Sequence, residues 1–254
     1  MNFLVPVLIK VVLPIIFVII VHFLFGRYPE PFPLSKNRRR EIWETLILWA
    51  IPTIAVNIIV FTDLADRMVE PTLKVLITFI LIMIVPYIVF PVIYQKYVKG
   101  WTLKDFGFVK PERRGVVIFT IAFFVIGGLI PLMDSGFKSL SLMMILFSLY
   151  QPAFIEEFFF RGIIQGKLER ALGQNRAWIF SGILFGLTHV FVNYFFTGLD
   201  FLPGLLMLAG QITFGWVYGI IYMKTRSLLP AMIGHYLIDG RMASIIDKIV
   251  LRIT

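Results

Sequence analysis

Long apolar runs separated by short polar segments make up most of this sequence. Each run is about as long as a bilayer is thick and contains very little charge. Eight such runs can be identified, at residues 3–25, 42–61, 72–93 and 115–132, from Ser139, at 177–196 and 204–223, and from Leu229. The pattern predicts an all-α polytopic membrane protein with about eight transmembrane helices, and we expect residues 1–254 to form a single transmembrane domain.

The composition supports this class and excludes several others. Hydrophobic residues make up 59% of the chain, charged residues only 15%, and the mean hydropathy is +0.88, whereas a soluble domain carries about a quarter charged residues. The chain has no cysteine, which excludes disulfides, cysteine zinc sites, iron–sulfur clusters and thiol nucleophiles. We attribute the net charge of +9 to loops that meet the lipid bilayer, and we expect no nucleic-acid partner.

The basic residues are distributed unevenly over the connecting loops. The odd-numbered loops hold most of the Lys and Arg residues, with Arg161, Lys167, Arg170 and Arg176 counted in the fifth loop. The even-numbered loops hold only Arg67, Lys74 and Lys138. Because positive charge accumulates on the cytoplasmic side, we expect a multi-pass protein of the cell membrane with odd-numbered loops in the cytoplasm and both termini outside.

A few ionisable residues lie within the apolar runs and are therefore candidates for function. A charged side chain near the bilayer centre costs at least about 2.5–3.5 kcal/mol, so it is seldom placed there without a purpose. Glu156 and Glu157 are adjacent in the fifth run and are surrounded by phenylalanines. His189 lies in the sixth run, and His235 and Asp239 lie in the eighth.

Helical spacing groups these residues further. Glu157 and Arg161 are four residues apart, which predicts an ion pair on one helix face. Glu156 is turned about 100° from Glu157 and is expected to face something else. His235 and Asp239 are also four residues apart, so the carboxylate can orient or charge the imidazole.

Glycines four residues apart occur in the sixth and seventh runs. Gly182 and Gly186 form one small-xxx-small pattern, and Gly215 and Gly219 form a second. Such patterns allow helix backbones to approach closely. We therefore expect these two helices to contact each other through their glycines.

Three of these motifs, in this order, resemble those of a known family. Glu156-Glu157-xxx-Arg161, Phe185-xxx-His189 and His235-xxx-Asp239 are similar to the successive motifs of the CPBP intramembrane proteases. That family includes the CAAX-processing Rce1 endopeptidases and bacteriocin-processing or immunity proteins. The resemblance covers about residues 150–240 and implies a glutamate protease with its active site inside the helix bundle and a membrane-associated protein or peptide as substrate.

The resemblance also implies a role for each motif residue: Glu156 as the general base, His189 as the residue that holds or activates water, His235 and Asp239 as the oxyanion site, and Glu157, Arg161 and Phe185 as supporting residues. An imidazole can donate a hydrogen bond to a developing oxyanion. The physical chemistry of the residues is therefore compatible with these roles.

Position 239 departs from the pattern of the Rce1 branch, which has an asparagine there. An amide can donate to an oxyanion, whereas an ionised carboxylate repels one. Asp239 is then either protonated in its apolar setting or orients His235 and leaves donation to the imidazole. Both alternatives leave open whether the substrate is a prenylated CAAX protein.

Other functions can be written with the same residues. Glu156, His189 and His235 would make a zinc site with an open position, although the chain has no HExxH motif and the resemblance implies no cofactor. A membrane scaffold or chaperone of the same fold is a second alternative. A transporter is a third, because buried acids and histidines also form proton relays.

Overall fold

The computed structural model describes residues 4–60, 81–135, 149–196 and 198–238, and every regular element within these residues is a helix. Eight helical segments follow one another along the chain: α1 Leu4–Leu24, α2 Arg38–Val60, α3 Leu81–Val98, α4 Arg114–Ser135, α5 149–172, α6 Gln174–Thr188, α7 Phe201–Thr225 and α8 Leu229–Ile238. Each predicted run overlaps one of them, which confirms the all-α class. Residues 72–80 and 139–148 of the third and fifth predicted spans lie outside the described residues.

Within the described residues, three segments are long and apolar enough to cross a membrane. They are Leu81–Val98, Gln174–Tyr194 and Phe201–Thr225. Large apolar side chains such as Ile54 and Ile118 lie exposed on the outside of the bundle, as expected of surfaces that face lipid. The membrane-spanning character is therefore confirmed, while the total of eight crossings stays a prediction.

Helix α7 occupies the centre of the bundle. It packs most extensively against α6 and also lies along α1. From Val217 to Thr225 every residue of α7 is buried, which is expected only of a helix that is covered on all sides. Helix α7 is therefore surrounded by other helices, including helices that carry the candidate site.

The contact between α6 and α7 is made through the predicted glycines. A Cβ atom added to Gly215 would lie 2.7 Å from both the Cα and the carbonyl oxygen of Gly182, and one added to Gly182 would lie 2.8 Å from the backbone nitrogen of Trp216. Gly186 similarly packs against the backbone of Ile212. The two backbones are therefore in direct contact, which confirms the helix pairing that the glycine spacing predicted.

The four odd-numbered loops meet at one end of the bundle. Arg226, in the seventh loop, makes a bidentate ion pair of 2.6 and 2.7 Å with Glu169 at the end of α5. Arg170 makes a 2.6 Å ion pair with Asp105 of the third loop, and its carbonyl accepts a 2.8 Å hydrogen bond from Ser35 of the first. The predicted grouping of these loops is thus observed, whereas the assignment of this end to the cytoplasm stays a prediction.

The polar loop contacts determine the charge state of Asp105. Partial burial by itself would raise the pKa of Asp105, but hydrogen bonds from Thr102 and the nearby charge of Arg170 outweigh this effect. The pKa of Asp105 is therefore held below its ordinary value. The ionised carboxylate remains available to Arg170, whose guanidinium lies 4.2 Å from the Trp101 ring.

Two cations counted in the fifth loop lie inside the bundle instead. Arg161 and Lys167 are fully buried within α5, so the prediction that they are loop residues is wrong. Lys167 pairs with Glu41 and Glu44 at the start of α2, and Lys99 of the third loop contacts the same two carboxylates. The physical reason for the burial is that these acids supply the counter-charge that a buried lysine requires.

We expect Gly215→Ala to destabilise the protein because the added methyl group would overlap the backbone of Gly182. Overpacking of this kind costs typically about 1–3 kcal/mol, which exceeds the gain of about 0.5–1 kcal/mol from replacing a helical glycine with alanine. The measurement is the thermal unfolding midpoint of the purified protein in detergent. Gly210→Ala on the same helix is the matched control, since its nearest neighbour would be 4.0 Å away. Equal midpoints for the two variants would show that the α6–α7 contact is looser than described.

Candidate active site

The helix that carries both glutamates has an unusual backbone. Leu149–Glu156 and Phe158–Gln165 are π-helical and are followed by the α-helical segment Gly166–Leu172. A π-helix is wider than an α-helix, is rare, and is found frequently at functional sites. Glu157 lies at the junction between the two π-helical stretches, so the irregular backbone coincides with the candidate site.

Glu157, Arg161 and His235 form a buried cluster of charged and polar groups. Oε2 of Glu157 lies 3.2 Å from Nε of Arg161, and Nδ1 of His235 lies 2.7 Å from Oε1 of Glu157. Glu157 and Arg161 are fully buried, and His235 is nearly so. The predicted ion pair is therefore observed, but it does not stand alone, because the carboxylate also binds a histidine from α8.

This cluster is enclosed by aromatic rings from α6 and α7. The ring of Tyr218 stacks on that of His235, with 4.5 Å between centroids and 18° between planes. The guanidinium of Arg161 lies 4.9 Å from the Phe185 ring and 5.4 Å from the Tyr218 ring. The aromatic faces therefore add favourable electrostatic contacts for a buried cation that Glu157 already neutralises.

Two nitrogens of Arg161 make no hydrogen bond in the described part of the protein. Nη2 is 3.4 Å from the carbonyl oxygen of Gly215, whereas Nη1 and Nε are buried without a hydrogen bond to any described residue, and Nε contacts Glu157 only as an ion pair. Gly215 also makes the contact between α6 and α7. The same residue therefore takes part in the helix contact and in the site.

Glu156 is in a different environment from its neighbour. Its carboxylate is half-buried, and Oε1 accepts a 2.7 Å hydrogen bond from Nε2 of Gln151. Gln151 precedes Glu156 by five residues, a spacing that brings side chains together in a π-helix. Sequence reasoning assigned no role to Gln151 because it assumed α-helical spacing throughout.

His189 lies where α6 ends. Its Nδ1 is 2.8 Å from the carbonyl oxygen of Phe185, which can only accept, so Nδ1 carries the proton. Nε2 is then the unprotonated nitrogen of the neutral ring and can accept a hydrogen bond. The ring of Phe185 lies 4.9 Å from that of His189 and 5.9 Å from that of His235, so Phe185 is a neighbour of both histidines.

The predicted residues that the structure describes are therefore neighbours. Phe185 contacts Arg161 and both histidines, and Glu156 is adjacent in the chain to Glu157 of the cluster. Asp239 lies outside the described residues, so its predicted pairing with His235 stays a prediction. Sequence reasoning overlooked Tyr218 as a site residue, although the residue lies one position before Gly219 of the glycine pattern.

The geometry also bears on the zinc alternative. Within 4–60, 81–135, 149–196 and 198–238, no three His, Cys, Asp or Glu side chains are close enough to share a metal ion. The ligand set Glu156, His189 and His235 is therefore not assembled in this arrangement of the described residues.

The fold and the cluster together define a helical membrane protein with a carboxylate–histidine centre buried in its bundle. Residues 138–240 match the family model described as type II CAAX prenyl endopeptidase Rce1-like. The match agrees with the family that the motifs predicted and covers less than half of the chain. The segment includes α5 to α8 and so contains every candidate residue. No curated protein and no solved structure matches the chain.

We expect Arg161→Ala to destabilise the protein strongly, because it leaves the Glu157 carboxylate buried without its cation. Breaking one partner of a buried pair costs about 3–5 kcal/mol. The double variant Glu157→Gln with Arg161→Ala should recover part of this loss, since both charges are then absent and the amide oxygen still accepts from His235. Thermal unfolding of the single and double variants measures the coupling.

Arg40→Ala is the matched control for this experiment. Arg40 makes a pair of the same four-residue spacing with Glu44, but its side chain is 66% exposed. We expect its removal to change the stability little, because solvent and salt screen an exposed ion pair. A loss of stability in Arg161→Ala no greater than in Arg40→Ala would contradict the buried ion pair.

Proposed function

We propose that the protein is an intramembrane endopeptidase that hydrolyses peptide bonds of membrane-associated substrates with a water molecule activated by Glu156. The observation that carries this proposal is the difference between the two adjacent glutamates. Both oxygens of Glu157 are engaged by Arg161 and His235 in a fully buried setting. Glu156 is half-buried and accepts a hydrogen bond from the neutral amide of Gln151.

A general base must give up and regain a proton during the reaction, which a carboxylate does poorly when a fixed cation holds it ionised. Glu157 is held in this way by Arg161. Glu156 accepts a hydrogen bond from uncharged Gln151 and is not the carboxylate that Arg161 contacts at 3.2 Å, so it is the better suited of the two glutamates to take a proton from water. Its partial exposure also permits water to reach it.

The proposed reaction follows ordinary acid–base chemistry. Glu156 takes a proton from water as the water oxygen bonds to the peptide carbonyl carbon, and the carbonyl oxygen becomes an oxyanion. The C–N bond then breaks, and the proton passes from Glu156 to the leaving amine. His189 has Nε2 as its acceptor in the neutral ring, which supports the expectation that it holds the second hydrogen of the attacking water.

His235 is the proposed donor to the oxyanion. Its Nδ1 proton is directed to Glu157, so only Nε2 can serve the substrate. Donation from Nε2 requires a protonated ring, and Glu157 beside Nδ1 supplies a counter-charge that stabilises one. This arrangement is like that of a catalytic triad, in which a buried carboxylate orients a histidine and stabilises its charged form.

The substrate class is proposed only as membrane-associated protein or peptide. The family match supports a CAAX-type substrate, while the aspartate at position 239 in place of asparagine leaves the requirement for a prenyl group open. A membrane scaffold of the same fold remains the alternative, and the following experiment separates it from the enzyme.

We expect Glu156→Gln to reduce peptide hydrolysis by about 10²–10⁴-fold, the usual contribution of general acid–base catalysis. The amide preserves the size of the side chain but cannot accept the proton. The measurement is cleavage of a membrane-tethered peptide by purified protein, with insertion and monodispersity in detergent checked first. Glu112→Gln, at an exposed loop position, makes the same chemical change as a control and should remain active. Activity of Glu156→Gln equal to that of the wild type would contradict the proposed role of Glu156. A scaffold protein would still bind its partner in both variants.

We expect a chelator to leave the activity unchanged and elemental analysis to find less than one zinc per chain. The proposed reaction activates water with a carboxylate and therefore needs no metal. Activity is measured before and after treatment with EDTA, with the unfolding midpoint as a check that the protein is intact. Loss of activity that added zinc restores would replace the glutamate mechanism with the zinc alternative.

A further inference from the structure

A second polar site lies apart from the glutamates, at the end of the bundle where the odd-numbered loops meet. It is a cleft of about 610 Å³ between the last turn of α1, the first loop, the start of α6 and the end of α7. His22, Arg27, Tyr28, Glu30, Gln174 and Lys224 contribute its polar lining. Neither the family match nor the proposed reaction gives this cleft a role.

Lys224 is a buried cation without a described acid partner. The residue is 1% exposed, and its Nζ donates to the carbonyl oxygens of His22 and Gly26. The ring of Tyr28 lies 4.4 Å from Nζ. Within the described residues no carboxylate pairs with this ammonium group, and an ammonium has three donors, so one N–H remains for a group in the cleft.

Tyr28 does not neutralise this charge. Burial raises the pKa of Tyr28 to about 12, and a hydrogen bond with Trp178 offsets only part of that rise. The phenol is therefore uncharged at physiological pH and accepts or donates a hydrogen bond with His22, whose Nδ1 is 2.9 Å from the hydroxyl oxygen.

The remaining charges give the cleft an excess of positive charge. Arg27 is exposed at its edge, and Glu30 is the one carboxylate among the described lining residues. Among the lysine, arginine and carboxylate side chains of the lining, Arg27 and Lys224 exceed Glu30 by one unit of charge. An anion with oxygen acceptors can therefore bind both cations with charge-assisted hydrogen bonds.

The apolar edge of the cleft favours a lipid over a small ion as the ligand. Phe23 lines the cleft and is 73% exposed, and the next residue, Leu24, is 75% exposed. Both residues end the apolar helix α1, at the level where acyl chains meet headgroups. A basic pocket between helices with an apolar edge has the chemistry of a headgroup site on the positively charged side of a membrane protein.

We propose that this cleft binds the phosphate group of an anionic phospholipid, with Lys224 and Arg27 as its cationic contacts and Phe23 against the acyl chain. An anionic phospholipid and inorganic phosphate both present a phosphate group that could bind these cations. The apolar edge favours the lipid as the source, and the site is independent of the proposed protease reaction.

The test compares phosphatidylglycerol, phosphatidylcholine and inorganic phosphate added to the purified protein in neutral detergent. We expect phosphatidylglycerol to raise the unfolding midpoint and to remain bound in native mass spectrometry, and we expect the other two to do neither. Equal stabilisation by phosphatidylcholine would overturn the preference for an anion. Equal stabilisation by inorganic phosphate would overturn the assignment to a lipid.

Variants locate the site. Arg27→Gln changes an exposed residue, so folding should be preserved, and we expect it to weaken phosphatidylglycerol binding about fivefold, the typical effect of one basic residue near an anionic headgroup. Lys224→Gln should weaken binding at least as much. This variant also loses the contacts of Nζ with two backbone carbonyls, so its folding is checked by its unfolding midpoint. Lys104→Gln removes an exposed charge of the third loop outside the cleft and should leave binding unchanged. If Lys104→Gln weakens binding as much as Arg27→Gln, the attraction is diffuse and the proposed site is wrong.

Discussion

The buried carboxylate of Glu157 is the group on which the arrangement of α5, α7 and α8 depends. A charge inside the bundle is tolerated only when partners replace the water that it has lost. Arg161 supplies one partner from the same helix and His235 a second from α8. The carbonyl of Gly215 on α7 then approaches Arg161 to within 3.4 Å. The glycine contact between α6 and α7 is consequently part of the electrostatics of the site as well as of its packing.

The charged end of the bundle restrains the same helices from outside the site. Glu169 lies on α5, eight residues beyond Arg161, and its bidentate pair with Arg226 joins the end of α5 to the end of α7. Lys167 joins α5 to the start of α2 in the same way. These contacts fix the depth of α5 relative to its neighbours, so that Glu157 comes level with His235. Lys224 and Arg27 make no such pair with a described carboxylate, and both line the cleft.

Sequence patterns predicted the features that depend on local spacing. Twenty-residue apolar runs identify helices because the hydrocarbon thickness fixes their length, and the Glu157–Arg161 pair follows from two residues on one helix. The bond from His235 to Glu157 spans 78 positions, and no periodicity encodes which helices face each other at that range. The π-helical backbone of α5 could not be predicted either, because the spacing rules that identify helix faces in a sequence are those of the α-helix. The contact between Gln151 and Glu156, and the stacking of Tyr218 on His235, were missed for these two reasons.

The position of Glu157 narrows the interpretation of Asp239. A histidine has one proton at Nδ1, and that proton is directed to Glu157. An orienting role for Asp239 at the same nitrogen would therefore duplicate a contact that is already made, and at Nε2 an ionised carboxylate would occupy the atom proposed to serve the oxyanion. The other alternative, a protonated Asp239 that donates as the asparagine of the Rce1 branch would, conflicts with neither contact. In the proposed reaction His235 is the donor to the oxyanion, so a protonated side chain at position 239 would act there as a second donor beside it.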